Sequence, residues 1–551
     1  MRSTAVLRRR FDGNWQAERR WYLTHERGEI RRQEPVQLEL VLGFPNRYPV
    51  GMSNLGFQAV FALLNDQSGV ACERTFLWES GGSGTLESGR PLRQFPIVAF
   101  SVPFELDYEN LLEILRRAEI PLLSSQRRTA DPIVVVGGPC AFLNPEPMVP
   151  FVDLFVIGEG ECVLPPLVRI IAQVDSRDDI LRASVRIPGV YVPRYYHFSF
   201  LPNGRIGSIR ARPPAPRRVK RQWAHQLDSF ATFSPITTPQ SHFSDLCLIE
   251  VQRGCAYRCR FCAMGQIYHP FRQRSAVVLR HQIVESLEQS RRIGLVGSAV
   301  ADLPGLLELC EWMSLREVEL GISSLRADRL SPELVTNLAQ LGMRTVTVAP
   351  EVGSQRLRRA INKSVTEEDV LRTASLLAEA GIPHLKLYFM IGLPWEREED
   401  VLAIISLVRN VRRVSRTVML TISVSPFVPK AATPFQWAPM EPESLLRRKM
   451  RQLSSQIRSL KGVKFTAENS RQALWQGVLA RGDRRVGMVL WRHFWQGLTW
   501  AQAWRQEGLR PGFFVHRELD VTEILPWDIV DHDVSPEALW AEYQRAKEVA
   551  A

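Results

Sequence analysis

The sequence predicts an α/β protein in four stretches. A doubly wound, mostly parallel sheet comes first (1–200) and a connector second (201–245). A partial barrel of six strand–helix repeats follows (246–437), then a helical C-terminal region (438–551). Three observations predict this. Short apolar runs alternate with stretches of helical period through the first 200 residues, the pattern of a parallel sheet layered with helices. The same alternation returns six times after residue 245. From 438 the pattern is helical and Trp-rich, with Trp475, Trp491, Trp495, Trp500, Trp504, Trp527 and Trp540.

In the first part Val36–Phe44 reads as a strand and Ser53–Asn65 as a helix. Ile97–Val102 is a short buried strand, and Tyr108–Ala118 has helical apolar spacing. Ile133–Val136 is a buried strand ending in Gly137-Gly138-Pro139. Phe151–Ile157 is another, ending in Gly158-Glu159-Gly160-Glu161. Glycines at strand C-terminal ends let a ligand approach the backbone, and they also make tight turns. In the connector, Asn203-Gly204 is a hairpin signal. The Pro- and Arg-rich stretch from Arg210 to Arg221 reads as an exposed linker. Barrel strands fall at Leu246–Val251, Gly294–Val296, Glu317–Ile322, Arg344–Ala349, His384–Ile391 and Val418–Val424. Amphipathic helices lie between them, such as Thr366–Glu379, which stops at Gly381.

The chain has 551 residues, 45% hydrophobic and 23% charged, with net charge +12. That is a folded protein of two or three domains. No apolar run is long enough to span a membrane, and the basic start lacks the apolar core of a secretory signal. The basic excess suits a polyanion. Its clusters are Arg8–Arg10, Arg217–Arg221, Arg447–Arg451 and Arg484–Arg485, so RNA is an expected partner class, against the plainer reading of solvated faces. Eight cysteines in this length are no disulfide framework. Cys72, Cys140, Cys162, Cys247 and Cys310 stand singly in apolar or Gly-rich surroundings, as small buried hydrophobes do.

The other three carry most of the information. Cys255, Cys259 and Cys262 have the spacing C-x3-C-x2-C. Three thiolates within eight residues reach three corners of an iron–sulfur cube and leave the fourth iron without a protein ligand. An open iron can chelate a substrate or cofactor. A structural zinc site would want a fourth ligand, and His269 is the nearest candidate. The loop follows an apolar strand-like run, with Phe261 before the last cysteine.

This loop resembles the cluster-binding motif of radical S-adenosylmethionine (SAM) enzymes. Longer runs extend the resemblance across nearly the whole chain: Ala349–Arg358, Ile361–Lys363, Lys386–Pro394, Phe427–Lys430, Thr433–Trp437, Arg481–Arg484 and Leu525–Asp528. They are similar to the group described as cobalamin-binding-domain/radical SAM proteins. The resemblance implies a [4Fe-4S] cluster on Cys255, Cys259 and Cys262, with SAM bound to the open iron and cleaved by one electron to a 5′-deoxyadenosyl radical. It implies a TIM-like partial (β/α)6 barrel, an electron donor such as flavodoxin or ferredoxin, and a reducing, cytoplasmic setting. The first part is similar to a Rossmann-like cobalamin-binding domain, on the strength of its two glycine turns. The usual D-x-H-x-x-G motif is missing, and no histidine lies between His25 and His197. Either cobalamin binds without a histidine lower ligand from this domain, or the sheet persists without the cofactor.

Other cofactor-binding residues are expected at strand ends. Glu351 follows a buried strand and is expected to meet the SAM amino group or ribose; a helix N-terminal charge is the plainer reading. Gly353 and Ser354 open a helix and offer backbone N–H groups to an anion. Ser324 is a ribose candidate, and Gly297 with Ser298 a partial match to a backbone site for the SAM amino group. Lys386 begins an apolar strand. If inward it should meet an acid or the SAM carboxylate; if outward it is an edge lysine. Three functions compete: a radical SAM enzyme, with methyl transfer favoured if cobalamin binds; a methylthiotransferase-like enzyme with a second cluster on Cys72, Cys140 and Cys162; and a non-catalytic, cluster-containing RNA-binding protein.

Overall fold

The computed structural model describes residues 13–30 and 35–551; the Arg8–Arg10 cluster lies outside them. The chain forms two compact units. One runs to Cys247 and adds Leu479–Pro511 and Thr522–Asp533; the other comprises Leu248–Val478, Gly512–Val521 and Val534–Ala551. The stretch expected as one helical region, 438–551, is thus divided between the two.

The first unit is built on a six-stranded sheet: β1 (Leu38–Phe44), β2 (Val70–Phe76), β3 (Ile97–Ser101), β4 (Ile133–Gly137), β5 (Leu154–Val156) and β6 (Val190–Tyr191). The order is β2-β1-β3-β4-β5-β6. The first five strands are parallel, and β6 joins β5 antiparallel. Sequence reasoning missed β2, because Glu73 and Arg74 interrupt its apolar run. Both are buried. Arg74 is paired with Glu26 at 2.7 Å and Glu87 at 2.7 Å, while the Thr85 and Ser88 hydroxyls donate to Glu73. The helix Leu55–Asn65 starts two residues later than expected, where Asn54 accepts from the Phe57 N–H at 2.9 Å.

The connector departs from expectation. The Asn203-Gly204 hairpin forms, as β7 (Tyr196–Phe200) and β8 (Ile206–Ala211), antiparallel. The linker after it is mostly exposed, as expected, but its end is tied down. β9 (Val219–Lys220) pairs in parallel with Val530–Asp531, and Arg221 is 1% exposed. Arg484 pairs with the buried Glu146 at 2.8 Å over the Phe198 ring, and Arg485 with Asp483 over Phe200. Arg221, Arg484 and Arg485 thus serve the packing of the unit, while Arg217, Arg218 and Lys220 stay exposed. Arg447, in a third cluster, pairs with Glu443.

The second unit holds β10 (Cys247–Glu250), β11 (Gln252–Arg253), β12 (Arg272–Gln273), β13 (Arg292–Val296), β14 (Glu319–Ile322), β15 (Thr345–Glu351), β16 (His384–Ile391), β17 (Met419–Pro426) and β18 (Val463–Ala467). β10-β13-β14 form one sheet and β15-β16-β17-β18 another. The pairs β13–β14, β15–β16, β16–β17 and β17–β18 are parallel, and a parallel bridge from Leu325 to Val348 joins the two sheets. Six strands lie where the apolar runs put them. The seventh, β18, was hidden because its short run, Val463-Lys464-Phe465-Thr466-Ala467, has one buried residue, Phe465. Helices alternate with the strands; the one at Glu367–Glu379 starts on a capping box from Thr366 and Asp369 and ends before Gly381, at φ +74°. No helix among the described residues is long and apolar enough to cross a membrane.

Candidate active site on the cysteine loop

The cysteine loop leaves β11 and is tied at both ends. Glu250 accepts from Arg253 at 2.8 Å and from Arg274, whose side chain is fully buried, at 2.9 Å. Burial would raise the Glu250 carboxyl, but the two guanidiniums outweigh it and hold it low. β12 pairs antiparallel with β11 and returns the chain after the loop. Gly254 sits at φ +81°, where a Cβ would stand 2.5 Å from the Tyr268 carbonyl oxygen, so this turn demands glycine.

A second segment clamps the loop from the side. The Arg260 N–H donates to the Ile361 carbonyl at 3.0 Å, and the Arg260 guanidinium donates to Ala360 at 2.8 Å and Arg359 at 3.2 Å. Asn362 donates its amide to the Tyr257 and Arg258 carbonyls at 3.1 and 3.3 Å. The Tyr257 hydroxyl donates to Asp302 at 2.8 Å, and Arg326 stacks 3.4 Å over its ring. The backbone between the cysteines is therefore fixed before any cofactor arrives.

Cys259 is 9% exposed, with Cys255 and Cys262 half-buried. Burial pushes the Cys259 thiol up to about 12, against the pull of Lys363. Burial also raises Cys262, while the N–H groups of Met264 and Gly265 lower it. Among the described residues no three His, Cys, Asp or Glu side chains close on a single metal ion. A cube spreads its thiolates farther apart than one ion does, and three loop thiols with a pinned backbone and a nearby cation fit a cluster with one open iron. His269 instead faces the Arg258 guanidinium at 3.2 Å.

The other expected residues sort themselves by what they touch. Glu351 ends β15 at φ +69°, after a break in register, and its carboxylate receives the Lys363 ammonium at 3.1 Å. Cys259 and Cys262 both feel the Glu351 charge, which puts the pair beside the cysteines. Sequence reasoning missed Lys363; its position beside Asn362, in a run already noted, was the available signal. A Cβ on Gly353 would meet the Ile404 nitrogen at 2.3 Å, so this residue packs on the helix Glu398–Val414. Ser354 caps the following helix by accepting from Leu357 N–H and donates its hydroxyl to Asp400. Each thus has a structural role in the fold. Gly297 lies against Gln252, whose amide, oriented to satisfy its neighbours, accepts from Ser298 N–H at 3.1 Å. Ser324 and Phe261 are half-buried. Lys386 meets no acid among the described residues; its ammonium donates to the Tyr388 hydroxyl at 2.6 Å.

Two family descriptions match this chain: "Radical SAM proteins, N-terminal" over residues 56–193 and "Radical SAM superfamily" over 249–408. The chain belongs to the radical SAM superfamily. An uncharacterised protein of Methanocaldococcus jannaschii is 28% identical over 452 residues, spanning 81% of this chain and 89% of its own. The tRNA-2-methylthio-N(6)-dimethylallyladenosine synthase of Sorangium cellulosum is 27% identical, over 32% of this chain and 41% of its own. Among solved structures, the radical SAM methyltransferase TsrM of Kitasatospora setae, with cobalamin and a [4Fe-4S] cluster bound, shares the fold at a TM-score of 0.50 and 16% identity, covering 74% of this chain and 79% of its own.

Two further cofactor expectations meet the structure of the first unit. A second cluster would need Cys72, Cys140 and Cys162 together. Cys72 is on β2 and Cys140 just after β4, with β1 and β3 between, so about 14 Å of sheet separates their strands. In the turns expected to admit cobalamin, Gly138 and Gly158 pack on the backbone of the chain itself. A Cβ on Gly158 would lie 2.1 Å from the Gln222 carbonyl oxygen, and one on Gly138 3.0 Å from the Val102 backbone. The Glu159 N–H donates to the Gln222 carbonyl at 2.9 Å, and the Glu159 carboxylate accepts from Ala224 N–H at 2.9 Å. At these two glycines the space beside the backbone is taken up by the chain, which speaks against a corrin approaching there. The unit does contain a histidine beside the turn after β4, but it comes from far along the chain: His532, 5% exposed, against Phe142 and Arg221.

Proposed function

We propose that this chain binds a [4Fe-4S] cluster on Cys255, Cys259 and Cys262 and acts as a radical SAM enzyme on an unactivated C–H bond of its substrate. The observation that carries the reading is the clamp on the cysteine loop. Arg260 and Asn362 hold its backbone, while Lys363 and Glu351 stand beside two of its three thiols. When bound, the cluster and SAM supply one-electron cleavage to a carbon radical that abstracts hydrogen. The chain's own residues do the rest. Lys363 offsets the negative charge gathered on the thiolates. Glu351, held by Lys363, presents a carboxylate to a cationic amino group or a ribose hydroxyl. We read the first unit as a doubly wound Rossmann-like sheet and the second as a partial barrel, with chemistry at the strand C-terminal ends.

Methyl transfer through cobalamin has the shared fold with TsrM in its favour and the packing at Gly138 and Gly158 against it. The methylthiotransferase reading has partial sequence likeness in its favour and the separated cysteines against it. The test is anaerobic reconstitution followed by reduction with dithionite in the presence of SAM. The expected outcome is about four irons per chain and 5′-deoxyadenosine, both lost in Cys259→Ala. A fully loaded protein that never releases 5′-deoxyadenosine, with or without cell extract, would refute the reading.

A further inference from the structure

The four-stranded sheet has one apolar face and one polar face. On β16, Leu385, Leu387, Phe389 and Ile391 are at most 1% exposed, while His384 and Tyr388 are exposed and Lys386 and Met390 half-buried. β15 and β17 alternate in the same way. Val346, Val348, Leu420, Ile422 and Val424 are buried, and Thr347, Thr421 and Ser423 turn to the other side. The parallel register sets these residues in rows. Thr347, Lys386, Thr421 and Lys464 are neighbours across the sheet, as are Tyr388, Ser423 and Thr466. Hydroxyls thus surround a central cation, and neither row contains a carboxylate.

Lys386 is the anomaly on this face. Its ammonium donates to the Tyr388 hydroxyl at 2.6 Å and lies 4.4 Å from the centre of that ring, and among the described residues no carboxylate is within ion-pair reach. A half-buried ammonium without a counter-charge is held at a cost that an anionic ligand removes. The tyrosine aims it: the phenol oxygen and the ring hold the ammonium over the sheet and leave its remaining protons for a ligand.

Resting on the radical SAM reading above, we propose that Lys386 and Tyr388 form the anion subsite of the substrate, which carries a carboxylate or phosphate group. The register also places this anchor. Glu351 pairs with Phe389, three residues beyond Lys386, so the anion anchor is about 10 Å down the strand from the level of Glu351. The anion anchor thus stands off along the sheet from the carboxylate assigned to SAM, which leaves the span between them to the reacting part of the substrate.

The experiment uses the reconstituted full-length protein with dithionite and SAM. A small-molecule cell extract is separated by anion exchange, and each fraction is scored for 5′-deoxyadenosine above the level without extract. The expected result is stimulation by a retained, anionic fraction. Phosphatase treatment abolishes it if the group is phosphate; methyl esterification abolishes it if the group is a carboxylate. Lys386→Met raises the amount needed for half-maximal stimulation roughly ten-fold or more, with iron content and SAM Kd as in the wild type, and Lys386→Arg recovers part of the loss. Stimulation by an unretained fraction overturns the proposal. So does an unchanged requirement in Lys386→Met, or a weakened SAM Kd, which would assign the lysine to the SAM carboxylate. A wild type that yields no 5′-deoxyadenosine at full iron loading fails the radical reading itself, and the subsite falls with it.

Discussion

Lys363 holds its ammonium 3.1 Å from the Glu351 carboxylate, with the two side chains only 10% and 14% exposed. The pair sits where β15 breaks register and Glu351 turns to φ +69°. A non-glycine residue in that conformation costs about 1–3 kcal/mol, so the surroundings must hold it there.

Lys363→Met should therefore be more than a lost surface charge. It strands a buried carboxylate, and breaking one side of such a pair costs about 3 kcal/mol. Burial already raises the Glu351 carboxyl and Lys363 opposes the rise, so the variant raises it further. The sign follows. An unfolded glutamate gives up its proton near about pH 4.3, the folded one at higher pH, so the loss grows as pH rises through that interval. Urea denaturation of the cluster-free protein should show the smallest deficit near pH 4 and the largest near pH 8. A deficit equal at all pH values would remove Glu351 from the explanation.

Gly158→Ala tests whether that turn is there for the chain or for a ligand. The new Cβ would press on the Gln222 backbone, and φ is +118°. The expected loss is at least about 3 kcal/mol. Gly137→Ala, whose Cβ would find its nearest neighbour at 3.6 Å, should lose about 1 kcal/mol or less. Comparable losses in the two variants would mean that Gln222 can retreat.

From the same packing comes an expectation about corrinoids. Protein made anaerobically in cells supplied with cobalamin should elute without a corrin absorption band, and should produce 5′-deoxyadenosine regardless. Stoichiometric corrinoid in the purified protein would show that the stretch from Val219 to Ala224 moves aside.

Much of this was legible in the sequence, and the exceptions share a cause. Strand positions in both units follow from apolar runs, because a parallel strand buried on one or both faces must write itself that way. The cysteine loop was legible because its chemistry needs thiols close together. β2 stayed hidden because its charges are neutralised by Glu26 and Glu87, each more than ten residues away in the sequence. The burial of Arg221 was hidden for a similar reason: its strand partner, Val530–Asp531, lies some 300 residues on. The cap made by Ser354 and the close helix approach at Gly353 stayed hidden because, in sequence, they look the same as an anion site.

His532 should make the first unit sensitive to acid. Burial, then Arg221, hold its imidazole down to about 3, whereas an unfolded histidine titrates near about 6.5. Below that value the unfolded chain takes up a proton that the folded one refuses, so stability falls as pH drops from about 6.5 toward 3. At pH 5 the loss is on the order of 2 kcal/mol. His532→Gln should flatten the curve between pH 7 and 5, read by chemical denaturation at each pH. An unchanged slope would assign the acid sensitivity to other groups.

The cysteine loop yields the last prediction, because two of its properties pull apart. Its backbone is prepared in advance by Arg260 and Asn362, but burial holds two of its thiols protonated, Cys262 and, most of all, Cys259, pushed up to about 12. Cluster assembly must therefore expel protons. Reconstitution with iron and sulfide should be faster at pH 9 than at pH 7, with protons released as the iron–sulfur absorbance grows. Asn362→Ala keeps the thiols but frees the carbonyls of Tyr257 and Arg258, so it should slow assembly without altering this pH dependence. The loss of two hydrogen bonds, at about 1 kcal/mol each, should cost stability of the loaded cluster, measured as faster iron release to a chelator. Arg260→Ala should do worse, since it also uncouples Glu542 and the carbonyls of residues 359 and 360. If both variants load and hold iron as the wild type does, the clamp is a feature of the fold alone and the cluster itself orders the loop.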